Sequence, residues 1–143
     1  MTGATVLQNG RAKAFRPLPA DVRRRAFDAA IDAYERGDFF EAHELLEPAW
    51  MGTDDLAERA LHQGLIKLAA AFVHGVRGNP TGIAKNLVGA RDHLSAAVGT
   101  APATASGLDL TALLAEIEAR LDRLAGDPTD ATVAAPRLPR IAS

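Results

Sequence analysis

The chain has no cysteine. Disulfides, thiolate zinc sites, iron–sulfur clusters and a thiol nucleophile are therefore excluded, which fits a reducing compartment without establishing one. Aromatic residues are few; the single tryptophan, Trp50, is a unique optical reporter. The longest apolar run, Leu68 to Val73, is far short of the ~20 residues that span a bilayer. Residues 1–18 lack the apolar stretch of a signal peptide. A cytoplasmic protein without a membrane partner is expected. The net charge of −2 gives no general attraction to nucleic acid or to an anionic membrane.

What is present is a globular composition, 48% hydrophobic and 24% charged, in 143 residues, enough for one domain with a core. Helical periodicity dominates, and no strand-like alternation of useful length is evident. The expected fold is all-α, an up-and-down bundle of about five helices joined by short connections. A flexible arm over 1–18, one helical domain over 19–125 and a tail over 126–143 are expected.

The first helix, about 20–36, carries Phe27, Ala30, Ile31 and Tyr34 on one stripe and stops at Gly37. The second starts at Asp38, which with Glu41 reads as a capping box. Pro48 removes a backbone hydrogen bond within it, so a kink, or a break just before Trp50, is expected. The third helix, about 54–77, has a large apolar stripe (Leu61, Leu65, Leu68, Phe72, Val76). A second stripe of small residues, Ala57, Gly64, Ala71 and Gly75, predicts close approach by another helix or a dimer face, so a homo-oligomer stays open. Gly78-Asn79-Pro80 combines a stop, a cap and a first helical position for the fourth helix. Residues 99–107 read as a loop and 108–125 as the fifth helix. The tail holds Pro136-x-x-Pro139, a weak polyproline pattern; the alternative is a floppy or packed arm using Val133, Leu138 and Ile141.

His43, Glu47 and Trp50 share one face of the second helix, because residues four and seven apart in a helix lie about 40° and 20° from one line. With Leu46 beside them, this stripe faces inward at least in part, and a buried carboxylate needs a partner. Folding about the connections brings several groups to the level of the motif: Gln63 and Gly64 from the third helix, Asp28 and Asp32 from the first, and His93 from the fourth. His74 lies roughly 16 Å beyond Gln63 along the third helix, so the two cannot ligate one ion while that helix is straight.

The run Phe39-Phe40-Glu41-Ala42-His43-Glu44-Leu45-Leu46-Glu47-Pro48-Ala49-Trp50, followed in order by Gln63-Gly64-Leu65-Ile66, His74 and Gly78-Asn79, resembles the prokaryotic domain-of-unknown-function family 309. That family is recognised by a His-x-x-x-Glu-x-x-Trp/Tyr motif, and the resemblance covers roughly residues 20–98. It implies a helical bundle and a metal-binding role, with no established activity.

Two functional readings follow. In one, His43 and Glu47 hold a divalent metal such as zinc, or a small ligand, with Trp50 as a wall and Gln63 and His74 as further members. In the other, the protein is a non-enzymatic binding or assembly module, and the motif is a buried polar cluster that fixes packing. A peptidase-like variant with Glu44 as general base lacks the second histidine of His-Glu-x-x-His. Ser95 near His93 is a weak nucleophile candidate. Arg11, Lys13, Arg16, Arg23, Arg24 and Arg25 could form a phosphate-binding patch, but the acidic balance of the whole chain favours a solvated face.

Overall fold

The computed structural model describes residues 5–8 and 11–141. Six helices pack as an all-α bundle: α1 (Ala20–Glu35), α2 (Phe39–Met51), α3 (Leu56–Val76), α4 (Pro80–Ala97), α5 (Ala101–Ser106) and α6 (Leu110–Gly126). They are preceded by an antiparallel pair, β1 (Thr5–Gln8) and β2 (Arg11–Ala14), with Thr5 opposite Ala14 and Gln8 opposite Arg11. The expected flexible arm thus contains a short hairpin pairing that four-residue strands did not advertise by alternation.

The middle of the bundle is α3. Residues 61–66 are buried without interruption, so this helix is enclosed on all sides rather than along one stripe. It packs on α2 and α4 along its length and on α5 near its start. A methyl group at Gly64 would lie 2.5 Å from Leu94 Cγ and 3.1 Å from the Leu94 backbone nitrogen. The close approach expected there is therefore made by α4 of the same chain. Gly75 faces Ile83 of α4 and Ala71 is buried, so the small-residue stripe serves packing inside the bundle.

Helix ends follow the sequence chemistry. Asp38 accepts a hydrogen bond from Glu41 N–H, although Glu41 turns its own carboxylate to Arg36 instead of closing the box. Asn79 caps α4 by accepting from Gly82 N–H, with Gly78 left-handed before it (φ +67°). Pro48 does not break α2, which continues to Met51. Both Pro48 and Glu44, whose carbonyl loses its donor, are exposed, so water can take the orphaned acceptor. At its end, α2 meets the chain entering α1: Arg16 and Leu18 N–H groups donate to Met51 and Gly52 carbonyls.

One segment departs from expectation, and the C-terminal tail follows the packed-arm reading. The stretch read as a loop over 99–107 contains α5, capped by Thr100, whose hydroxyl accepts from Ala103 N–H. The tail is not loose: Val133, Pro136 and Leu138 are buried, and Tyr34 O–H donates to the Pro136 carbonyl at 2.8 Å. Asp109 N–H donates to Pro139, Ile141 N–H to Gly107, and Arg140 pairs with Glu35. Ile141 itself stays half-exposed. With Pro136 in the core, the Pro136-x-x-Pro139 pattern serves packing and is not presented for docking.

Candidate functional site

Trp50 is 2% exposed and belongs to the core. The Arg59 guanidinium sits over its ring, 4.6 Å from the centroid, and donates to the carbonyls of Trp50 and Thr53. This cation–π contact ties the end of α2 to the start of α3. Burial lowers the Arg59 pKa from its usual value, with Asp54 opposing. Nothing in the sequence pattern had singled out Arg59.

One helical turn and two before Trp50, Glu47 and His43 are half-buried. The His43 side chain is 29% exposed, yet its Nδ1 is buried and lacks a hydrogen-bond partner among the described residues. Glu44 Oε1 is 3.6 Å away, beyond hydrogen-bonding range. On α3, Gln63 is buried, and its Oε1 likewise lacks a partner. Gln63 is the residue that sequence registration about 52–54 expects at the level of His43. An unpartnered buried polar atom costs about 1–3 kcal/mol, which makes both atoms unusual enough to require a reason.

The other sequence-derived candidates are dispersed. Asp28 and Asp32 lie on the exposed face of α1, where Asp28 pairs with Arg24. His74 closes the α3–α4 corner: Asn79 Nδ2 donates to His74 Nδ1 at 3.2 Å, and the imidazole fills the space a side chain at Gly82 would need. Since α3 is one helix, His74 is roughly 16 Å along the axis from Gln63. His93 is half-buried on α4, its pKa lowered by burial and then by Lys67, with Asp92 opposing. Ser95 donates to the Arg91 carbonyl one turn back, an intrahelical bond and not an activated nucleophile. Glu44 is exposed.

The metal expectation fares poorly on this geometry. Among the described residues no group of three or more histidine, aspartate or glutamate side chains could hold an ion, whereas a protein zinc site takes at least three such ligands. The donor set around His43 and Glu47 does not fit a resident divalent metal. Nor is the basic segment an open patch. Arg23 is bidentate to Glu58, Arg24 binds Asp28 and the Ala105 carbonyl, and Arg25 binds Asp21. Arg16 is exposed, and the side chains of Arg11 and Lys13 lie outside the described residues.

One histidine was missed altogether. His62 is 3% exposed, its ring 5.9 Å from that of Phe27, and its Nδ1 is buried without a partner. Burial drives its pKa down from 6.5 to about 4; Glu58 opposes this, and Arg23 and Arg59 add to it. It is neutral at pH 7. The signal available in the sequence was its place beside Leu61 in a helix with apolar residues on several faces.

Residues 27–86, which contain α2, α3 and the motif, match the family model described as Domain of unknown function (DUF309). No curated protein and no solved structure matches the chain.

Proposed function

We infer, for a chain whose residues 27–86 belong to the domain-of-unknown-function 309 family, that the protein is a binding module for a small hydrogen-bond-donating molecule at the motif face of α2 and the facing turns of α3. The observation that carries this reading is the pair of buried, unpartnered polar atoms, His43 Nδ1 and Gln63 Oε1. An imidazole whose proton sits on Nε2 offers Nδ1 as a lone pair, and an amide oxygen only accepts. Glu47 and Glu44 add carboxylates on the same helix. A set made of acceptors selects a ligand rich in N–H groups, an alkylammonium or a primary amide, and disfavours an anion. Trp50 lies behind this face as its apolar backing, and His74 has no part in it.

The test is titration of butylamine into chelator-treated protein, following Trp50 emission and the ring resonances of His43. Saturable binding weakened by both His43→Ala and Gln63→Leu is expected. Absence of a saturable change, or binding indifferent to His43→Ala, sinks the reading. A response to zinc with none to butylamine would return the site to a metal.

A second reading, a cluster that only fixes packing, draws on the burial of Trp50 under Arg59. It predicts that His43→Ala or Glu47→Ala destabilises by about 0.5–3 kcal/mol through lost packing. A binding face predicts near-native stability with lost binding.

A further inference from the structure

Between α1, α3 and α5 lies a cavity of about 350 Å³, at the lower end of the range for small-molecule sites. Phe27, Leu61 and Pro102 form apolar walls. The polar groups around it are nearly all committed elsewhere. Arg23 uses Nε and Nη2 on Glu58 and Nη1 on the Leu18 carbonyl, so its charge and that of Glu58 cancel. Arg24 is held by Asp28 and the Ala105 carbonyl. Asp55 caps α3 by accepting from Glu58 N–H, and the Ser106 hydroxyl donates to Ala103 and accepts from Leu108 N–H.

His62 remains. It lines the cavity, is 97% buried by its 3% exposure, and has no hydrogen bond to a described residue. Its ring is neutral, so one nitrogen carries the proton. A sealed N–H without an acceptor is rarer in folded proteins than a sealed lone pair without a donor. Nδ1 is the sealed atom, which puts the proton on Nε2, the nitrogen left to the cavity. Charged ligands are disfavoured: Arg23 with Glu58 and Arg24 with Asp28 are already paired, and Asp55, which caps α3, is solvent-exposed, so a charge desolvated beside His62 would find no buried counter-charge.

We propose that this cavity binds a small, uncharged, largely apolar molecule bearing one hydrogen-bond-accepting oxygen, which receives the His62 Nε2–H while its apolar body packs on Phe27 and Leu61. The site is separate from the motif face, because His62 and Gln63 are successive residues on α3 and point about 100° apart. The two proposals stand or fall independently.

Four aromatic probes of similar size test it on the full chain: acetophenone, ethylbenzene, benzoate and benzylamine, read by the ring resonances of His62 in histidine-labelled protein. Acetophenone is expected to shift them saturably, and to bind about tenfold more tightly than ethylbenzene, the worth of one hydrogen bond. His62→Leu should erase that preference. Ala105→Leu, at an exposed position lining the cavity, should abolish binding with the fold intact by circular dichroism, and it decides the matter if His62→Leu does not fold. The His43 resonances and Trp50 emission should stay unchanged. No saturable shift with acetophenone, equal binding of ethylbenzene, tighter binding of benzoate or benzylamine, or undiminished binding to Ala105→Leu would each overturn the proposal.

Discussion

Gly64 has no room for a methyl group. The nearest obstacles, at 2.5 and 3.1 Å, include the Leu94 backbone nitrogen, which cannot swing aside as a side chain can. Gly64→Ala gains about 1 kcal/mol of helix propensity but forces α3 and α4 apart, at a cost of typically 1–3 kcal/mol for overpacking. The net expectation is a lower midpoint in urea denaturation. An unchanged or raised midpoint would mean that α4 gives way easily.

His62 carries the clearest pH dependence. Its pKa is 6.5 when exposed and about 4 in the folded protein, so between these values the unfolded chain holds the extra proton. Its contribution to stability is complete above pH 6.5 and declines as the pH falls toward 4. Denaturation at pH 7 and pH 5 should show a loss in the native protein and a smaller one in His62→Leu. Equal losses would show that this imidazole does not govern the slope. His93, also shifted down by burial, keeps the slope of the variant above zero.

At the scale of elements, what the sequence reveals depends on length and on enclosure. The Asp38 cap and the Gly78-Asn79-Pro80 corner were legible because each is local chemistry acting over three or four residues. The six residues of α5 have too little length to display a period, and their Thr100 and Pro102 flags also suit a loop. The start of α6 moved from 108 to Leu110 because Asp109 caps the helix and Leu108 bridges to Arg140 in the tail. Helix registration placed candidates by height along an axis and not by rotation about it. Thus Gln63 is buried, whereas Asp28 and Asp32, expected at suitable levels, lie on the solvent side of α1. Periodicity failed for His62 for a related reason: in a helix buried on all sides, no polar face exists against which a buried histidine would stand out.

At the scale of the molecule, the C-terminal segment completes the core. Val133, Pro136 and Leu138 lie in the interior, and Tyr34 holds the chain over them through the Pro136 carbonyl. Tyr34→Phe should cost about 1 kcal/mol, one buried hydrogen bond. Truncation after residue 126 should cost about 3 kcal/mol or more, since burying each Val or Leu side chain is worth about 1.5–3 kcal/mol. Thermal melts of the two variants check the order: a truncated protein as stable as the full chain would mean that the tail contributes no net stability.

The enclosure of α3 has a kinetic corollary. Its central amides, from Leu61 to Ile66, are surrounded by buried side chains, so neither fraying nor the loosening of a single neighbour exposes them. In deuterium oxide they should be the last to exchange, through opening of the whole molecule. Their protection then reads out the global free energy of unfolding, and it should rise together across all six amides whether a ligand binds on the His43 face or beside His62.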